Sequence, residues 1–229
     1  MSDLHGLTDV EIRVLGVLIE KALTSPGAYP MTVNSIVVGC NQLQNRDPVV
    51  SYGESQVSSA LRNLEHKALV AQAASSAGAR SVRYEHRVVD RFHWDRREQA
   101  VMTELMLRGR QTSGELRTRA SRMTDLPDLQ AIVSVLDALR AHVPPFAEEL
   151  PREPGRSANR FRHLLSAEAA RPEVEKVTVA RMSKEELSGT ETISLEARVG
   201  RLEAEVAELK ATLTREPRYN SQASEGQSV

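Results

Sequence analysis

The sequence predicts a mainly α-helical fold with small β-hairpins: two tandem winged helix-turn-helix domains plus a C-terminal coiled-coil helix. Two observations predict it. From Leu7 to Val88, three helix-like stretches are followed by a short apolar strand and an arginine-bearing strand, and from Trp94 to Leu165 the same order recurs. Three helices closed by a two-stranded hairpin is the winged-helix plan. Beyond the second copy, apolar residues return at heptad spacing between Thr192 and Leu213. The expected division is a first winged-helix domain over 1–90, a second over 91–165, a linker over 166–190, a coiled-coil helix over 191–215 and a disordered polar tail over 216–229.

The first helix opens at Thr8, whose hydroxyl can cap it while Glu11 reaches back. Val10, Val14, Leu15, Leu18 and Ala22 then share one face at the 3.6-residue period. Pro26, Gly27 and Pro30 mark a turn. A second helix from about Thr32 buries Val33, Ile36, Val37 and Cys40, and it stops at the polar loop Asn41–Pro48. After Gly53 a third helix turns Val57, Ala60, Leu61, Leu64 and Ala68 inward. Leu69-Val70-Ala71 and Val82-Arg83-Tyr84 supply the hairpin.

In the second copy, Val101, Leu105 and Leu107 lie in a helix that ends near Gly109. Thr112 and Glu115 form another capping box, opening the short helix LRTRASRM. Pro127, a favoured first-turn residue, leads into a helix burying Leu129, Ile132, Val133, Leu136 and Leu139. Its outward positions include Ala131, Val135, Asp137 and Ala138, which suits packing against a protein better than reading bases. FAEEL and RFRHLL form the second hairpin.

The stretch EKALTSPGAYPMTVNSIVVGCNQLQNRDPVVSYGESQVSSAL resembles the YceH family of uncharacterised bacterial proteins. The likeness continues through LMLRGRQTSGELRTRASRM and LPREPGRSANRFRHLL, covering roughly Leu7 to Leu165. It implies tandem winged-helix domains and a bacterial cytosolic setting, and it supplies no activity. The chain departs from the family's more charged run at Ser157-Ala158-Asn159.

Composition narrows the function classes. Net charge over 229 residues is −1, and aromatic content is 3%, too low for a base-stacking platform for single strands. Residues 91–165 carry thirteen arginines and no lysine against ten carboxylates, a net of +3. Cys40 is the sole cysteine, which rules out an internal disulfide, and it reads as a small buried hydrophobe. The N-terminus has no signal-peptide pattern and no segment is apolar enough to span a membrane, so the expected location is cytoplasmic. The six histidines lack metal-ligand spacing and no phosphate loop or nucleophile elbow occurs, so the chain is read as a non-enzyme without cofactor or metal.

The third helix presents Ser55, Ser58, Ser59, Arg62 and Asn63, short hydrogen-bonding side chains suited to base edges in a major groove. Equally weighted is an ordinary solvated helix face. Candidate phosphate partners are Arg46, Arg80, Arg83, Arg87, Arg117, Arg119, Arg156, Arg160 and Arg162, with Arg108, Arg110, Arg122 and Arg152 in the same basic set. The alternative for any one of them is an internal ion pair with a carboxylate such as Glu104, Glu115 or Glu148. The Asn41–Pro48 loop reads first as a structural lock, with Arg46 its candidate ligand contact.

In the heptads, Thr192, Val199, Val206 and Leu213 occupy a, and Leu195, Leu202 and Leu209 occupy d. Arg198 and Glu205 at g face Glu203 and Lys210 at e′. Leu195, Val199, Leu202, Val206, Leu209 and Leu213 are the expected dimerisation residues, against the alternative of a helix folding back on its own domains. The leading expectation is a dimeric double-stranded DNA-binding protein that regulates transcription. The alternative is a protein-interaction scaffold, with a protein partner at the second repeat and no DNA binding.

Overall fold

The computed structural model describes residues 6–74, 81–152, 155 and 158–166. Arg80, Arg156, the linker and the heptads, with Leu195, Val199, Leu202, Val206, Leu209 and Leu213, lie outside the described residues. The first repeat contains α1 (Asp9–Thr24), β1 (Met31–Thr32), α2 (Val33–Cys40), α3 (Glu54–His66), β2 (Val70–Gln72) and β3 (Arg83–His86). A short helix α4 (Val88–Phe92) leads into the second: α5 (Arg96–Arg108), β4 (Gln111–Thr112), α6 (Ser113–Ala120), α7 (Leu129–Ala141), β5 (Ala147–Leu150) and β6 (Arg160–His163). About half of the described chain is helical, as the periodicities predict. The first hairpin is shifted by one residue and its second strand gains one, the second hairpin is shorter than expected at both strands, and each gains a two-residue strand from ahead of its second helix.

The resulting antiparallel sheets have the orders β1-β3-β2 and β4-β6-β5. Their registers correspond: Thr32 stands opposite Arg83 and Met31 opposite Tyr84, while Thr112 stands opposite Arg160 and Gln111 opposite Phe161. Arg83-Tyr84-Glu85-His86 and Arg160-Phe161-Arg162-His163 are therefore the same strand used twice.

Local chemistry explains the helix starts. Thr8 with Glu11, Asp95 with Glu98 and Thr112 with Glu115 form reciprocal capping boxes, satisfying orphan amides in the first turn. Asp128 accepts from the Ala131 amide at 2.8 Å, so α7 starts at Leu129, two residues after Pro127, which precedes the cap instead of filling the first turn. Ala68 was expected inside; it lies past α3 at φ 55° and is exposed. On α7 the buried line is Ile132, Val135, Leu136 and Leu139, whereas Leu129 is 49% exposed. The core stripe thus follows i, i+3, i+4 and i+7 from Ile132, placing Val135 inward and freeing the first residue of the helix.

α1 and α5 are the central pair. Periodicity predicted one buried face for each, yet every residue from Glu11 to Glu20 and from Glu98 to Leu107 is buried. Gly16 permits their close approach: a Cβ there would lie 2.9 Å from Leu107 Cδ2 and 3.3 Å from Met106 Cβ. One apolar core runs through both repeats, from Leu15, Val57 and Leu61 to Leu105, Leu116 and Leu136. Phe92, Trp94 and Phe146 join it with ring centroids 4.6–5.0 Å apart. Each such aliphatic side chain contributes roughly 1.5–3 kcal/mol on burial. The Gly6 and Leu7 amides both donate to Leu165 O, at 3.0 and 2.9 Å, tying the start of the first repeat to the end of the second.

Helices buried on every side must satisfy their charged groups, and one of the ion pairs that does so crosses between the repeats. Glu20 of α1 and Glu104 of α5 are 1% and 0% exposed. Arg122, just after α6, bridges them, placing Nη2 2.7 Å from Glu20 and 2.8 Å from Glu104. Arg108 lies 3.2 Å from Glu104 and also donates to Asn45 Oδ1. Arg46 grips Glu20 with both Nη atoms, at 3.1 and 2.5 Å, and binds Gly39 O, Asn45 O and Gln42 Oε1.

Arg46 is therefore not placed for a phosphate: its side chain is wholly buried and its donors are occupied inside the protein. The loop it belongs to is a structural lock, further held by Asp47 N to Leu107 O at 2.9 Å and by Arg13 Nη2 to Pro48 O at 2.7 Å. Burial pushes the Glu20 carboxyl up, but the Arg46 hydrogen bond and the Arg46 and Arg122 charges outweigh it and hold it below the usual range.

Glu20→Ala strands Arg46 without its carboxylate and is expected to cost about 3–5 kcal/mol in denaturant unfolding, against no more than about 0.5 kcal/mol for the exposed Arg97→Ala. A second expectation concerns the hairpin histidines. Burial first, then the neighbouring Arg87 or Arg162 charge, pushes His86 and His163 down to about 4. In the unfolded chain each takes a proton near pH ~6.5. Between those values the unfolded state binds more protons, so stability falls as pH drops from about 6.5 towards 4. Equilibrium unfolding across that range should show a shallower decline in the His86→Gln, His163→Gln double variant than in the wild type.

Candidate nucleic-acid interface

The Gly53 amide at the α3 cap donates to the Gln56 side-chain carbonyl Oε1 at 2.9 Å, fixing the start of the helix. From there, Ser55, Ser59 and Arg62 are exposed and Ser58 is half-buried, while Val57, Ala60, Leu61 and Leu64 hold the opposite face in the core. Ser55, Ser58, Ser59 and Arg62 make no hydrogen bond or ion pair to another described residue. Asn63 differs: its Nδ2 donates to Glu11 Oε1 at 3.0 Å, so its amide is committed to α1. Tyr84 on β3 completes the face. Burial first, then the Glu65 charge, pushes its phenol up, while the Arg62 charge acts in the opposite sense.

The arginines divide into committed and uncommitted ones. Arg87 pairs with Glu85 at 2.7 Å and Asp90 at 3.4 Å. Arg162 is 12% exposed and pairs with Glu148 across the second hairpin. Arg119 donates to Gln111 Oε1 at 2.7 Å and lies 3.5 Å from Glu115. Among the described residues, Arg117 and Arg83 donate only to carbonyls, Pro127 O at 2.6 Å and Pro30 O at 2.8 Å, and both are exposed. Arg160 is half-buried with its charge near Glu115. Internal pairing thus accounts for Arg46, Arg87, Arg108, Arg119, Arg122 and Arg162, while Arg83 and Arg117 have no carboxylate partner among the described residues.

The second repeat presents a different surface at the same place. Aligning the caps of α3 and α7 sets Ser58 against Val133, Arg62 against Asp137 and Glu65 against Arg140, and the strand match sets Tyr84 against Phe161. Between α7 and the second hairpin lies a groove of about 360 Å³, with Val133, Leu136 and Phe161 along it and Asp137, Arg140, Glu149 and Arg152 at its rim. Arg140 pairs with both Asp137 at 3.3 Å and Glu149 at 3.5 Å, so most of that rim is neutralised internally. An apolar floor with a self-paired rim offers little to a phosphate backbone.

Sequence reasoning missed two members of this site. Tyr84 was read as plain hairpin, although the recurrence of Arg-aromatic-x-His in both copies marks its strand. Glu11 was read as a cap alone, and nothing local reveals that it also reaches α3. Among the described residues, no group of three His, Cys, Asp or Glu side chains is placed to hold a metal ion, and no helix is long and apolar enough to cross a membrane. Burial pushes the Cys40 thiol up to about 12, which removes it as a nucleophile near neutrality.

Residues 7–156 match the family described as "Protein of unknown function, DUF480". Relatives named UPF0502 protein include one from Geobacter sulfurreducens, 45% identical over 203 residues and covering 89% of this chain and 90% of its own length. Another, from Azoarcus sp., is 44% identical over 90% of both chains, and one from Cronobacter sakazakii is 39% identical over 91% of this chain and 95% of its own. The matched span takes in the α1–α5 pair, the Arg46 loop and both third helices, and on this ground the chain belongs to the DUF480 family.

Proposed function

We propose that this protein binds double-stranded DNA through its first repeat and acts as a dimeric transcriptional regulator. The observation that carries the reading is the free polar face of α3. Ser55, Ser59 and Arg62 are exposed and unpaired, beside a hairpin that offers Arg83. Small hydroxyls flanking one arginine allow close approach to base edges, and Arg62 can engage a guanine bidentately. The order of elements in each repeat supports reading them as winged helices, in line with the resemblance to the YceH family, and in that plan α3 enters the major groove. Arg83 and Arg117, exposed and without a carboxylate partner among the described residues, are the phosphate contacts, which position without specifying. The heptads from Leu195 to Leu213 would pair two chains and so two half-sites.

The groove between α7 and the second hairpin favours a second reading, in which tandem domains dock a protein segment and bind no DNA. The two separate in one experiment, selection of duplexes from a random pool followed by salt titration. Arg62→Ala is expected to lose about 1–3 kcal/mol of discrimination at its base position, with the salt dependence little changed. Arg83→Ala should weaken all duplexes alike and reduce the slope of log affinity against log salt by about one. Absence of duplex binding at low salt would overturn DNA recognition in favour of the scaffold.

A further inference from the structure

Glu11 sits in the first turn of α1 with 2% of its surface exposed. Its Oε2 accepts from the Thr8 amide at 3.2 Å and from Lys67 Nζ at 2.6 Å, while Oε1 accepts from Asn63 Nδ2 at 3.0 Å. Lys67 is the C-cap of α3, and Asn63 lies one turn before it. A single buried carboxylate therefore caps α1 and holds the end of α3.

The second repeat builds the arrangement again. Glu98, in the matching turn of α5, accepts from the Asp95 amide at 2.9 Å and faces His142 Nε2 at 3.3 Å. His142 is the C-cap of α7, as Lys67 is of α3. The same link survives a change of partner from lysine to histidine, which marks it as a part of the repeat and not an accident of one surface.

We infer that Glu11 is a positioning residue for the reading helix. Through Lys67 and Asn63 it sets the tilt of α3, and neither of those two side chains is a DNA contact. This rests on the DNA-binding reading above. The anchor lies at one end and Ser55 near the other, about 18 Å away along the axis at 1.5 Å per residue, so a tilt of about 5° at Lys67 moves Ser55 by roughly 1.5 Å. That shift is enough to break direct hydrogen bonds to base edges.

The test uses the full-length protein with duplex DNA selected by the wild type from a random pool, and compares Lys67→Met with Lys67→Arg. Lys67→Met should lower affinity about tenfold, equivalent to ~1.4 kcal/mol. Lys67→Arg should restore it to within about twofold, and the salt slope should stay unchanged in both because no phosphate contact is removed. A slope reduced by about one in Lys67→Met would make Lys67 a phosphate contact and overturn the assignment, as would unchanged affinity. If the wild type selects no duplex, the DNA reading fails by itself. The clamp is then decided by hydrogen exchange: α3 amides should exchange faster in Lys67→Met than in wild type or Lys67→Arg, and equal exchange in all three overturns it.

Discussion

The bidentate grip of Arg46 on Glu20, extended by Arg122 to Glu104, is the interaction on which the rest of the structure depends. Two fully buried carboxylates from different repeats share one guanidinium, and a second guanidinium arrives from a loop between α2 and α3. A buried ion pair of this kind is seldom a net gain over apolar packing, because desolvation offsets most of the attraction. What it supplies is uniqueness. Any sliding of α1 along α5 leaves at least one charge unpaired in the core, so the register of the two repeats is fixed far more sharply than hydrophobic contact alone would fix it.

Several features follow from that constraint. Gly16 lets the central helices approach closely enough for Arg122 to reach both acids. The Asn41–Pro48 loop is held by its own arginine, so it delivers α3 to a defined place on the surface, and Glu11 holds the far end of that helix. The scaffold is common to both repeats, down to the register of the short strands and the carboxylate beneath each third helix. What differs is the outward face. Ser58 and Arg62 on α3 become Val133 and Asp137 on α7, and Tyr84 of the first hairpin becomes Phe161 in the second. One scaffold thus carries two different surfaces, which is why we assign base reading to one copy and treat the other as a site of different chemistry.

Much of the fold is legible in the chain. The duplication, the capping boxes at Thr8 and Thr112, and the inward line of Val57, Ala60, Leu61 and Leu64 on α3 all arise from local rules of period and hydrogen bonding. The two-residue strands β1 and β4 are not legible, since two residues carry no alternation. Nor is the all-round burial of α1, because Glu11, Arg13 and Glu20 look like solvent-facing residues until their distant partners are known. The same limit governs the site. Exposure of Ser55, Ser59 and Arg62 follows from helical period, whereas the fates of Arg46, Asn63 and Arg162 depend on carboxylates between 14 and 52 positions away in sequence. Residue type marks an arginine as able to bind an anion; only the fold says whether an internal carboxylate already holds it.

The chain carries its own probes for the central claim that the two repeats are locked into one cooperative unit. Cys40, the sole cysteine, is buried in the first repeat, and Trp94, the sole tryptophan, is buried at the start of the second. Thiol labelling of Cys40 and fluorescence of Trp94, followed through the same urea titration, should give coincident midpoints. Labelling of Cys40 at a urea concentration where Trp94 still reports a native environment would show the repeats opening independently, and would contradict the account.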